Sequence, residues 1–342
     1  MSDIDFIITW VDDNDPEWRT ERAKYKGIKL EDTRASRYRD WETLRYVFRS
    51  IEKYAPWFHK VFFVTCGHYP AWLNRENPKL QFVKHSDYIP EQYLPTFSSR
   101  AIDMNFQRIK ELSEKFVYMN DDMFLVAPTK ENDFFRNNLP CETAILDAKG
   151  LEGKDRNGVP YKLGNLYTAV YFNLAPINRH FNKKECIKNN FVKWFNYRYG
   201  LAQIRTMLLT PWELFTGFKS SHVPYSYLKS TYKEVWEKEF EILDLACSHK
   251  FREITDVNHW LFNYWQIASG RFSPRSLKMG YFDYMTDDQK RNANVCKNLT
   301  CGKYKFACIN DEITNPEAFD IAKETLIRSL DKLMPEKSSF EL

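Results

Sequence analysis

Four short apolar runs, each rich in β-branched or aromatic residues, decide what the first 130 residues can become. They are Ile4–Val11 (IDFIITWV), Val61–Cys66 (VFFVTC), Leu80–His85 (LQFVKH) and Phe116–Met119 (FVYM). Continuous runs of this length mark strands buried on both faces. Helical patterns lie between them. Leu44, Val47, Phe48 and Ile51 recur at helical spacing within Asp40–Tyr54, with Pro56 just beyond the end. Ala101, Ile102, Phe106, Ile109 and Leu112 line one side of Ser98–Glu114. This alternation predicts an α/β protein: a Rossmann-like, mainly parallel sheet flanked by helices.

The second half reads differently. Helix-like segments at Tyr227–Leu245 and Asn258–Ala268 precede one more short strand, Phe306–Ile309, which ends at Asn310-Asp311. No repeat, low-complexity tract or Gly/Ser linker divides the 342 residues, so one domain is expected. Its α/β core would comprise 1–178 and 300–330, with a largely helical elaboration over 179–299. Aromatic residues at 16% supply ample core, and 50 Lys+Arg against 46 Asp+Glu disfavour a general polyanion binder. No apolar run reaches the roughly 18–20 residues of a membrane span. The start, MSDIDFIITWVDDNDPEW, turns acidic where a secretory signal would stay apolar, so a cytoplasmic location is expected. Seven scattered cysteines do not form a disulfide framework; Cys296, Cys301 and Cys308 lack a CxxC pair and read as free thiols. The sequon Asn298-Leu299-Thr300 has no consequence in that compartment.

In open parallel sheets ligands bind outside the carboxyl ends of the strands. Three strands end in acids or amides: Trp10-Val11-Asp12-Asp13, Asn120-Asp121-Asp122 and Asn310-Asp311. Such oxygens suit a hard cation, Mg²⁺ or Mn²⁺, held together with phosphate oxygens. Asp and Asn also end strands simply because they make turns. His222, on the loop-like SSHVPYSY, is either structural or a proton acceptor with a pKa of about 6.5. Arg252 alone reads equally well as a solvated surface residue. Arg179–Arg205 holds seven Lys/Arg and one acid, Glu185, interleaved with Phe, Trp and Tyr. That pattern fits a solvated helix with an aromatic inner face or a peripheral membrane contact, and fits a nucleic-acid partner least.

Taken in order, several blocks resemble the Stealth proteins, the bacterial capsule and exopolysaccharide sugar-1-phosphate transferases related to the eukaryotic enzyme that makes the mannose-6-phosphate lysosomal tag. IDFIITWVDDNDPEW resembles the family's first region. RYRDWETLRYVFRSIEKYAPWFHKVFFVT, HSDYIPEQYLPTFSSRAID and FVYMNDDMFL resemble its second, HVPYSYLKSTY its third and FACINDE its fourth. The resemblance implies a fold of the nucleotide-sugar transferase type, a UDP-N-acetylhexosamine donor and a divalent metal. An acceptor sugar hydroxyl attacks the β-phosphorus, releasing UMP and leaving a phosphodiester. Carried over, it implies that Asp122 is linked to metal and catalysis and that Asn310 and Asp311 form a second element at the metal. His222 would be the base and Arg252 would hold phosphates; Trp10, Asp12, Arg39 and Arg45 would hold the nucleotide. The 179–299 elaboration would lie on the acceptor side. The acceptor would be a bacterial glycan, and the basic-aromatic stretch suggests one carried on a lipid at the inner membrane face. Two departures stand out: Asp13 replaces the family's usual Gly after TWVD, and Ser98 and Asp103 replace the Asn and Glu that follow LPTF. Two rivals remain: a metal-dependent glycosyltransferase that releases UDP, and a non-catalytic glycan- or nucleic-acid-binding protein.

Overall fold

The structure, a computed structural model, describes residues 3–26, 39–148 and 165–342; Arg37 and Tyr38 of the RYRDW block lie outside them. The expected apolar runs form β1 (Ile4–Thr9), β2 (Val61–Thr65), β3 (Leu80–Lys84) and β4 (Lys115–Asn120), all parallel. Thr9 pairs with Val64 on one side and Asn120 on the other, so the carboxyl ends of β1, β2 and β4 finish level. After β4 come β5 (Met123–Leu125), β6 (Phe135–Arg136), β7 (Leu139–Glu142) and β8 (Tyr225–Leu228). Next are β9 (Ser273–Pro274), β10 (Gly280–Met285) and β11 (Phe306–Asp311). The main sheet has the order β3-β2-β1-β4-β8, with β8 antiparallel. A second sheet, β10-β11-β5, runs β11 antiparallel to β5 and sets Cys308 opposite Met123. The Ile309 N–H donates to the Asp122 carbonyl at 3.0 Å. That bond ties the end of β11 to the turn after β4.

Two expected helices are corrected. Ser98–Glu114 forms only a short helix, Ser99–Asp103, and a 3₁₀ turn, Phe106–Arg108. The side-chain amide of Asn105 donates to the Ala101 carbonyl at 2.7 Å, taking the acceptor that its own backbone N–H would use in a continuing helix. Tyr227–Leu245 opens as strand, because the Tyr225 and Tyr227 rings stack on each other and Tyr227 packs on Phe116 of β4. It then breaks at Glu239, between the helices Lys229–Lys238 and Phe240–Ser248. The buried Glu239 carboxylate accepts from Arg179 and from the His180 ring at 2.7 Å. Among the described residues, the second half therefore holds most of the helices, including Trp260–Ala268, but also β8, β9 and β10.

A buried ion pair fastens the end of the chain beneath the sheet. Arg49, on the helix Leu44–Tyr54, donates from Nε and Nη2 to the two oxygens of Glu341 at 2.8 and 2.7 Å, both side chains being buried. Replacing one partner leaves the other charged and uncompensated. Arg49→Ala is expected to lower unfolding stability by about 3–5 kcal/mol, read from urea midpoints, while Arg49→Met with Glu341→Leu recovers most of the loss.

Candidate active site

The turn Asn120-Asp121-Asp122 carries the end of β4 over to β5. Asp122 Oδ1 is buried there without a hydrogen-bond partner. One carboxylate oxygen of Asp122, a ring nitrogen of His222 and Cys308 Sγ all lie within 4.8 Å of one another. Burial, and then the like charge of Asp121, push the Asp122 carboxyl up to about 7. His222 is enclosed by Tyr225, Trp260 and Phe282, and burial pushes its imidazole down to about 4, so the ring is neutral at pH 7. Burial beside Asp122 and Asp121 holds the Cys308 thiol protonated, and Sγ donates to Asn310 Oδ1 at 3.3 Å.

His222 Nδ1 lies 3.1 Å from the Tyr225 hydroxyl, which also receives the Trp260 indole N–H at 2.7 Å. When Nδ1–H donates to that oxygen, Nε2 keeps its lone pair and can take a proton. Tyr225 is thus a positioning residue. Tyr225→Phe is expected to lower kcat about tenfold with KM nearly unchanged, measured by steady-state kinetics. An equal rise in KM would instead assign the hydroxyl to substrate binding.

The charge of Arg252 is felt by a buried histidine, His259, and by Asp103. His259 is held well below its ordinary basicity by burial first, and then by its neighbours His222 and Arg252. Arg252 donates from Nη2 to Ser99 Oγ and also stabilises the ionised form of Asp103. Burial raises the Asp103 carboxyl to about 7. The Tyr118 hydroxyl lies 2.8 Å from Asp103 Oδ1 and 2.6 Å from Asn120 Oδ1. The Tyr118 hydroxyl donates to Asp103 Oδ1, which favours the ionised carboxylate against the effect of burial.

The remaining sequence-derived residues divide by place. Asn310 joins Asp122 and His222 through Cys308. Asp311, one residue on, faces the other side of β11, as strand alternation requires. Its carboxylate accepts from Trp41 Nε1 at 3.2 Å and the Ile313 N–H at 2.8 Å, with Arg39 Nε 3.7 Å away. Arg39 also lies over the Phe319 ring. Trp10 stacks on Phe63 and meets His68 edge-on, and the Asp12 N–H donates to His68 Nε2 at 2.8 Å. Arg45 lies over Trp72. The structure therefore brings Asp122, His222 and Asn310 into one cluster, while Arg252 bonds Ser99. Arg39 and Asp311 form a neighbouring pair, while the contacts of Trp10, Asp12 and Arg45 run elsewhere. Sequence reasoning missed Tyr225, Tyr118 and Cys308. Cys308 was recoverable, since it lies two residues before Asn310 on a strand and so shares its face.

This donor set suits an oxygen-preferring cation. Asp122 supplies an unpartnered buried oxygen and Asn310 an amide oxygen, and the neighbouring thiol is kept protonated rather than offered as thiolate. One or two protein oxygens plus phosphate oxygens is the usual holding of Mg²⁺.

Comparison with known proteins gives a consistent answer. Residues 2–30 match the Stealth protein conserved region 1 and residues 37–142 conserved region 2. Over 100% of this chain and 98% of its relative, the sequence is 42% identical to a protein named capsular polysaccharide phosphotransferase WcwK of Streptococcus pneumoniae. The chain belongs to the Stealth family. A second relative, receptor polysaccharide phosphotransferase WefC of Streptococcus gordonii, is 38% identical over 99% of each chain. Among solved structures, galactosyltransferase LgtC in complex with donor and acceptor sugar analogues aligns over 98% of both chains at 9% identity, with a TM-score of 0.37. The α/β assignment rests on this chain's own strand order.

Both departures from the usual Stealth pattern are accommodated. Asp13 needs no left-handed backbone; among the described non-glycine residues only Glu42, Asn137 and Asn138 have positive φ. The turn is instead closed by Asp12 Oδ1, which accepts the Asn14 N–H at 2.8 Å. Ser98 is fully buried, and Asp103 sits in the Tyr118 network beside Arg252.

Proposed function

We propose that this chain transfers a hexosamine-1-phosphate from a UDP-sugar to a hydroxyl of a glycan acceptor during capsular or exopolysaccharide synthesis. The observation that carries the reading is the pairing of a neutral, enclosed imidazole with a buried unpartnered carboxylate oxygen at the carboxyl end of β4. His222 takes the proton of the acceptor hydroxyl as that oxygen bonds to the β-phosphorus. The anhydride oxygen then leaves with UMP. Arg252 holds phosphate oxygens, and Arg39, beside Asp311, helps to hold the nucleotide. Asp122 and Asn310 would hold Mg²⁺ or Mn²⁺, which supplies neutralisation of the charge gathering on the diphosphate. Tyr225 keeps the base in register, and the Tyr118–Asp103 network holds the floor beneath Arg252.

The names of the relatives, polysaccharide phosphotransferases of full-length similarity, support the same reaction class. Incubation with a panel of UDP-sugars, a glycan acceptor and Mg²⁺ tests it. UMP together with a ³¹P phosphodiester signal is the expected outcome. UDP as the released nucleotide would turn the assignment to a glycosyltransferase, and no cation-dependent turnover would turn it to a binding protein.

A further inference from the structure

The surface between Tyr197 and Leu214 is apolar without being covered. Leu201 is 84% exposed and Leu208 75%, with Ile204 and Met207 exposed beside them. Leu201, Ile204 and Leu208 follow each other at three- and four-residue steps, so they lie along one face. The opposite face is already fastened. Thr206 is fully buried and its Oγ1 accepts the Leu146 N–H at 3.1 Å, Arg205 bonds Asp147, and the Lys183 amine donates to the Leu209 carbonyl at 2.7 Å. A rigid platform thus presents apolar side chains to solvent. A contiguous patch of that kind marks a docking surface.

Charge selects its occupant. Residues 179–214 contain seven Lys/Arg and two acids, Glu185 and Glu213. Lys183 and Lys193 are used internally, each donating to a backbone carbonyl, and Glu213 is paired with Lys184. Arg179 and Arg205 are paired with Glu239 and Asp147, which leaves Lys188 and Arg198 to give the stretch its positive charge. Tyr197 and Trp212, 77% and 64% exposed, flank the patch with rings that are apolar at one end and polar at the other. A second copy of the chain would set this positive charge against itself. Apolar side chains, amphipathic aromatics and excess cations on one face together match a bilayer carrying negative headgroups.

We propose that residues 197–214 form a face that docks on an anionic lipid surface. From Leu214 the chain runs through the buried Phe215 and Phe218 to His222, eight residues and so at most about 28 Å of chain. Docking therefore holds the base near the membrane, where a lipid-carried acceptor would be. The proposal itself does not depend on the reaction assigned above.

Sedimentation of the full chain with phosphatidylcholine vesicles, with and without phosphatidylglycerol, tests it. The wild type is expected to bind the mixed vesicles and to be released by raised salt. Leu201→Ser, Leu208→Ser and Trp212→Ser combined should lower binding about tenfold, with unchanged circular dichroism and unchanged turnover of a soluble acceptor. Lys188→Glu with Arg198→Glu keeps the apolar residues and should lower binding to the mixed vesicles about threefold or more, independently of how the first variant folds. Absence of wild-type binding, binding by both variants equal to that of the wild type, or a dimer in lipid-free solution that the serine variant abolishes would each overturn it.

Discussion

His222→Ala is expected to lose about 10²- to 10⁴-fold in turnover while donor affinity stays within about twofold. The imidazole makes the packing contacts of a buried ring, touching Tyr225, Trp260 and Phe282, so a purely structural role is the alternative to beat. The two roles separate in the kinetics. A base acts only when the acceptor oxygen attacks, so its removal lowers kcat and kcat/KM together and spares donor binding. A packing residue instead lowers the unfolding midpoint and leaves the residual rate per folded molecule intact. Single-turnover UMP release and calorimetric donor binding, with a thermal melt as control, decide between them. Near-wild-type turnover, or donor affinity lost in step with rate, would remove His222 from the mechanism.

Much of the scaffold was legible because its strands are buried on both faces. IDFIITWV, VFFVTC and FVYM read as apolar runs, and each became a parallel strand of the main sheet. β8 was not legible. Its residues run directly into the helix Lys229–Lys238, and only the Tyr225 and Tyr227 stack against β4 reveals them as strand. Asn310 and Asp311 show the reverse difficulty. Neighbours in sequence look like one element, yet pleating sends one toward Cys308 and the other toward Arg39 and Trp41. The basic stretch read as a solvated helix with an aromatic inner face or a peripheral membrane contact. Lys183 and Lys193 prove to be internal braces, and the apolar residues beyond Tyr197, unremarked in the sequence, carry the exposed character. Side-chain direction, which composition does not encode, accounts for each of these cases.

Asp122→Asn should make the protein more stable and nearly inactive at once. The wild-type carboxyl is raised to about 7, first by burial and then by Asp121, from an ordinary value of 3.8. A group shifted upward contributes stability below its unfolded pKa, and that contribution is lost as pH rises through its folded pKa. At pH 8 without a divalent cation, the wild type therefore carries an ionised, poorly solvated carboxylate. Asn has nearly the same shape and no charge. The variant is expected to gain roughly 2–4 kcal/mol over the wild type at pH 8, with the gap closing toward pH 4. Divalent cation reverses the order. Mg²⁺ or Mn²⁺ bound by the native state raises the wild-type unfolding midpoint in proportion to the logarithm of its concentration, whereas the variant, lacking the anionic ligand, should not respond. Turnover should fall by about 100-fold or more, because charge neutralisation at the diphosphate depends on that ligand. Melts at pH 4 and pH 8, with and without cation, give all four comparisons. A variant that is less stable at pH 8 and still stabilised by cation would show that Asp122 is a structural turn residue and that the cation, if one binds, is held elsewhere.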